Sequence, residues 1–206
     1  LANTNRYPGL ARGPIDHNAS SVINAISNGV ITMGSAVKLN TTIPGSEILP
    51  RVEELTGTTG AGGAKTEAQP TYGIAVGGDT DGIYGNGTTA TTDTNRATAS
   101  AGQAAVIVTQ GRCLARVAGV KNLTGAETVP TGEAIAIGDP LVASEQGASA
   151  QGGGGPSFTG SVLVALNGTT STAKQFVIAR ALQAVAADDT DIIAVDIQRE
   201  GDGTAT

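Results

Sequence analysis

The residues that could do chemistry in this chain are few and widely spaced. His17 is the only histidine, and Asp16 stands beside it. A histidine base needs a nucleophile held within hydrogen-bond reach on a rigid frame, and no serine or cysteine near His17 is placed on such a frame. Cys113 is the only cysteine. It lies in an apolar β-like run and reads as a small buried hydrophobe rather than a nucleophile. Zinc would require several His or Cys ligands, and one of each does not suffice.

Carboxylates come in two clusters. Asp79-Thr80-Asp81-Gly82, with Asn86 beyond, has the opening of a calcium loop. The twelfth position, where such a loop needs a bidentate Glu, is Ala90, so Asp79 to Asn86 reads as a solvated turn. Asp188, Asp189 and Asp191 fit a hairpin turn, where Asp is favoured for its own local hydrogen bonds. The glycine runs at 60–63 and 152–155 are not followed by Gly-Lys-Ser/Thr or a helical pattern, so neither is a phosphate loop. These readings lead to no catalytic residue, no metal site and no cofactor, and the chain is expected not to be an enzyme.

The elements that would position any site read as strands. One phrase occurs twice: Ile31-Thr32-Met33-Gly34-Ser35-Ala36-Val37 and Ile135-Ala136-Ile137-Gly138-Asp139-Pro140-Leu141. Both run apolar, any, apolar, Gly, small polar, any, apolar, the grammar of strand, tight turn, strand. Together they predict one barrel with two equivalent corners. Further strands are expected at 72–76, 103–109, 162–166, 176–182 and 192–197, with Gln110-Gly111 turning the chain back into a strand at 112–117. Pro50 makes residues 47–55 an edge strand or loop. Residues 56–69, 77–100 and 145–155 are Gly- and Thr-rich and read as surface loops. The expected fold is all-β, a compact barrel or sandwich of short strands with long loops.

Residues 1–27 are expected to form an N-terminal arm. Its Pro-Gly and Gly-Pro pairs at 8–9 and 13–14 preclude regular periodicity. Ser20 to Ser27 allows a short helix, with Val22, Ile23 and Ile26 on one face, or alternatively a strand. Residues 28–200 form the barrel domain and 201–206 a polar tail. The arm spaces apolar groups, Tyr7, Leu10 and Ile15, that lack local partners. Either the arm is disordered or these groups lie on another surface; we expect the second, with Arg6 and Arg12 joining them as a contact to a partner or a second subunit.

Composition narrows the partners. The 206 residues carry a net charge of −6 and only 2% aromatics, with no Trp. An acidic chain lacks the clustered Lys and Arg of a phosphate-backbone binder and the rings on which single strands stack, so nucleic acid is not an expected partner. Sugar binding is disfavoured for the same want of rings. No apolar run reaches the ~20 residues that span a bilayer, and no membrane is expected. The core must be built from Ala, Val, Ile and Leu, and thirty glycines raise the entropy cost of ordering the chain. Contacts between subunits are therefore expected to add stability.

The order of phrases from Gly29 to Gln198 resembles the small β-barrel capsid decoration (cement) proteins of tailed viruses. The matching residues are Gly29 to Val37, Tyr72-Gly73-Ile74-Ala75-Val76, Gly102 to Val108, Ile135 to Ala143, Ala179 to Ala184, and Ile192-Ile193-Ala194-Val195. The resemblance implies a β domain on the outer capsid surface of a virion. It would bind the major capsid protein where capsomers meet and stabilise the shell, often as a homotrimer. Another virion structural module, such as a head-fibre base, tail component or adhesin domain, is the alternative. The arm lies outside the matched region.

Overall fold

The structure is a computed structural model. It describes residues 21–40, 49–55, 71–78, 97–99, 102, 104–121, 132–143, 162–166 and 176–198. The expected contact residues Arg6, Tyr7, Leu10, Arg12 and Ile15, as well as His17 and the Asp79 to Asn86 loop, lie outside them. The described residues are all-β. The strands are β1 (Ser21–Ser27), β2 (Ile31–Thr32), β3 (Ala36–Leu39), β4 (Arg51–Glu54), β5 (Gly73–Gly78) and β6 (Ala97–Ala99). They continue with β7 (Ala104–Lys121), β8 (Pro140–Ala143), β9 (Leu163–Ala165), β10 (Val177–Ala181) and β11 (Thr190–Ile197).

The pairings close two rings that share one strand. In the first, β1, β4, β3, β5 and β7 are neighbours in that order, and β7 pairs back to β1. In the second, β7, β11, β10, β8 and β9 follow in order, and β9 pairs back to β7. The pairing types match as well: β1 with β4 and β7 with β9 are parallel, and every other contact in both rings is antiparallel. The chain is thus a tandem duplication of one five-stranded barrel. The N-terminal half of β7 is the last strand of barrel 1, and its C-terminal half is the first strand of barrel 2.

The two copies of the repeated phrase fall one in each barrel, so the single barrel with two corners expected from sequence is corrected to two barrels. Each copy is a tight turn, closed by Ser35 N–H to Thr32 C=O in one and Asp139 N–H to Ala136 C=O in the other, both 3.2 Å. A third corner has the same bond, from Asp189 N–H to Ala186 C=O at 3.2 Å. The pivot residue has positive φ every time: Gly34 at 79°, Gly138 at 94° and Asp188 at 62°. Gly102, at φ 81°, marks a fourth.

The corners dock crosswise. Gly34 N–H donates to Ala75 C=O at 2.7 Å and Gly102 N–H to Ser27 C=O at 2.7 Å. In barrel 2, Gly138 N–H donates to Ala181 C=O at 2.8 Å and Asp188 N–H to Gly119 C=O at 2.9 Å. Each corner is therefore held by the strand that leads into the other corner of its own barrel. Bridges between Ile31 and Ala99, and between Ile135 and Val185, complete the two crosses.

Three other expectations are corrected. Of the helix and strand readings open for Ser20–Ser27, the strand is found at Ser21–Ser27: it pairs with Ala104–Gln110, and Ala25 and Ser27 point inward while Val22 and Asn24 face out. β1 therefore belongs to barrel 1 rather than to the arm. Gln110-Gly111 does not reverse the chain. β7 runs straight through it, and Gly111 at φ 88° sits beside the register shift opposite Ser21 and Val22, as in a bulge. Residues 51–54 are not an edge, since β4 lies between β1 and β3; Pro50 stands just outside, its carbonyl accepting Ile26 N–H at 2.8 Å.

Small branched residues fill both barrels. Ala25, Ile31, Val37, Val52, Ala75, Ala105 and Ile107 form the interior of barrel 1. The alternate residues of the same strands, Ala36, Ile74, Val76 and Val108, belong instead to the cluster that holds the barrel 2 interior, among them Val117, Ile135, Leu141 and Val195. The outer wall of barrel 1 thereby closes the mouth of barrel 2. Burying that wall contributes on the order of 25 cal/mol per Å² of apolar surface, which sets the two barrels in one body.

Gly34 lies in the seam. Its carbonyl accepts Arg116 N–H at 2.9 Å, and a Cβ placed on it would stand 2.8 Å from that nitrogen. Gly138 has open space around the same position. Gly34→Ala should therefore cost about 3 kcal/mol, from both backbone strain and the clash, while Gly138→Ala should cost about 1 kcal/mol from strain alone. Denaturant unfolding of the two variants measures this; equal losses would contradict the seam.

Candidate interaction surface

An open concavity lies at the mouth of barrel 1. It measures ≈ 610 Å³ and is lined by Ser21, Ile23, Tyr72, Thr109, Gln110, Ile197 and Gln198. Ser21 and Ile23 open β1, Thr109 and Gln110 lie at the midpoint of β7, and Ile197 ends β11. Tyr72 is fixed just before β5 by its N–H, which donates to Val37 C=O at 2.7 Å. Hydroxyls, amides, one phenol and two isoleucines make a lining that binds by shape and hydrogen bonding.

A charged patch sits on the other side of barrel 1. Lys38 Nζ lies 3.1 Å from Glu53 Oε1. Asn40 Nδ2 donates to Glu53 Oε2 at 2.7 Å and Asn28 Nδ2 to the same oxygen at 3.3 Å. Three side chains from two segments, β3 with its end and the end of β1, thus converge on one carboxylate of β4. Burial acting alone would raise the Glu53 carboxyl. Hydrogen bonds from Lys38 and Asn40, the Lys38 charge and the Asn28 amide together outweigh it and hold the group below its ordinary 4.5. Pairs this exposed stabilise little by themselves, so the patch fixes local geometry more than it holds the fold.

The candidate chemical groups resolve as follows. Cys113 is buried inside barrel 2, and burial, with the Asp196 charge second, pushes its thiol far up, so the nucleophilic thiolate is suppressed. Asp189 Oδ1 accepts Thr190 N–H at 2.8 Å, and Asp191 Oδ1 accepts Ile192 N–H at 2.7 Å, as the turn reading required. Asp139 does the same at its own corner, accepting Ala136 N–H at 2.7 Å. Among the described residues no group of three or more His, Cys, Asp or Glu converges as metal ligands.

Two residues of the described surface and seam escaped the sequence reading. Arg116 is the largest fully buried side chain, 1% exposed. Burial lowers its guanidinium from the ordinary value, and the Glu54 charge opposes this. It is buried because β7 has barrel 1 on one side and barrel 2 on the other, a fact that alternation along one strand does not carry. Tyr72 read as the first residue of a strand; its place at a mouth follows only from ring closure.

The Glu53 carboxyl has its lowered value only in the folded state. Its contribution to stability is present above the unfolded value and is lost as pH falls through the folded one. Asn40→Ala should therefore raise the Glu53 titration midpoint toward 4.5 and bring the acid-side loss of stability to higher pH. A side-chain NMR titration checks this, and an unchanged midpoint would refute the convergence of the three groups on Glu53.

Compared with known proteins, the chain matches no protein-family model and no curated protein.

Proposed function

We propose that this chain is a structural protein of a virion that decorates the outer capsid surface and stabilises the shell, with the major capsid protein as its partner and a homotrimer as its working form. One observation carries the reading. The six phrases that resemble capsid decoration proteins coincide with the corners and docking strands of the duplicated barrel. Gly34, Gly102 and Gly138 are three of the four pivots, and Ala75 and Ala181 are docking residues of β5 and β10. The resemblance therefore rests on residues that the fold requires, in the order in which it uses them.

The physics of the role fits such a body. A protein that binds only the assembled, expanded shell stabilises it by mass action, by about 2.7 kcal/mol per site at a hundredfold excess over Kd. A trimer that bridges several capsomers multiplies weak contacts through effective concentration. Neither effect uses a catalytic group or cofactor. The arm, through Arg6, Tyr7, Leu10, Arg12 and Ile15, would reach the neighbouring surface, for example by adding a strand to an exposed sheet edge.

Binding to emptied, expanded heads tests the reading. The purified chain should co-sediment with them and raise their melting temperature, and a chain lacking residues 1–18 should bind at least tenfold more weakly. Absence of binding by the full chain would end the decoration reading. Undiminished binding by the shortened chain would end the role of the arm alone.

A further inference from the structure

The matching ladders give most described strand residues of barrel 1 a counterpart in barrel 2, and the two barrels differ in what covers them. Aligning the corner pivots pairs Gly34 with Gly138 and Gly102 with Asp188, while the docking residues pair Ala75 with Ala181 and Ser27 with Gly119. The wall of barrel 1, Ala36, Ile74, Val76 and Val108, is buried against barrel 2. By strand register Ala36 corresponds to Pro140, Ile74 to Arg180, and Val108, which faces Ile74, to Asp196, which faces Arg180; each of these counterparts is only half-buried. The contrast is sharpest at the corner tips: Met33 is 4% exposed, whereas its counterpart Ile137 is 71% exposed. Barrel 2 thus presents, partly exposed, the face that corresponds to the one with which barrel 1 makes the internal seam, with Arg180 and Asp196 where barrel 1 has Ile74 and Val108.

The mouths show the reverse asymmetry. In barrel 2, Cys113 and Ile178 are buried in the cluster that includes the barrel 1 wall. Their counterparts in barrel 1 are Ser21 and Tyr72, which line the open ≈ 610 Å³ cavity. Among the described residues, one molecule therefore carries a partly exposed wall at one end and an open mouth at the other, the two kinds of surface that meet once within it. The wall also offers a polar anchor. Arg180 Nη1 donates to Gly138 C=O at 3.0 Å, on the carbonyl whose counterpart, Gly34 C=O, accepts the Arg116 N–H across the internal seam.

We propose that a second copy of this chain fills the barrel 1 mouth with its barrel 2 wall, Ile137 leading, so that subunits associate head to tail. Such a contact is heterologous: it uses a different patch on each subunit and repeats until a ring closes. Any closed ring satisfies every wall and every mouth, and a ring of three is the one that matches the homotrimer proposed above. The inference deepens the self-association in the proposed function but uses nothing of shell binding, so the two fail separately.

Two full-length variants test it by light scattering coupled to size exclusion. Ile137→Asp alters only the wall and Tyr72→Asp only the mouth; matching circular dichroism and melting to the parent establishes that each folds. The parent chain should be an oligomer and each variant alone a monomer. An equimolar mixture of the two should give a dimer, because the intact mouth of one still meets the intact wall of the other. A monomeric parent, an Ile137→Asp variant of unchanged mass, or a mixture that stays monomeric would each overturn the proposal. Should Tyr72→Asp misfold, Ile23→Lys replaces it as the mouth variant. Removing residues 1–20 should leave the oligomer intact; its loss would assign the mouth to the arm and also overturn the proposal.

Discussion

Everything in this molecule depends on β7 being shared. Its 18 residues, Ala104–Lys121, close barrel 1 with one half and open barrel 2 with the other. Where the strand lies between the two barrels both of its faces are covered: from Cys113 to Val120 only Leu114 is not fully buried. Arg116 is held there, Gly34 must come within van der Waals distance of its backbone, and the wall of one barrel becomes the floor of the other. No linker separates the two units, so they cannot reorient independently.

The sharing also explains how a chain so poor in aromatics obtains a core. A single five-stranded ring lined by alanine and valine encloses little volume and leaves its mouth open. Stacking the wall of one ring over the mouth of the next lets Ala36, Ile74, Val76 and Val108 contribute to a second interior without adding a residue. Repeat architectures gain stability in this way, from interfaces between units that are marginal alone. Among the described residues the two ends of the tandem differ, with the mouth of barrel 1 open and the tip of the barrel 2 corner, Ile137, exposed.

The strand content, the two phrase copies and the buried state of Cys113 were legible because they are local: periodicity, a glycine between apolar triplets, and a lone cysteine in an apolar run. The duplication was not. Its third corner, Val185-Ala186-Ala187-Asp188, has Asp at the pivot in place of Gly, and its fourth, at Gly102, is flanked by Ala and Ser rather than large apolar residues. Gln110-Gly111 looks like a hairpin because a bulge and a turn both need positive φ, and only the partner strands β1 and β11 decide between them. Residues 20–27 allowed helix or strand, and pairing with Val106 to Val108 settled it. Of the surface, Tyr72 and Ile137 read as ordinary strand and turn residues; what distinguishes them is which barrel end is covered, a property of the tandem and not of any segment.

The most direct test of this account is calorimetric. If β7 welds two barrels into one body, heating at a scan rate that allows reversibility should give a single transition whose calorimetric and van't Hoff enthalpies agree. The bulge at Gly111 should then offer no point of separation. Two resolved transitions, or a calorimetric enthalpy near twice the van't Hoff value, would mean that the barrels unfold independently and would contradict the shared strand as the organising constraint.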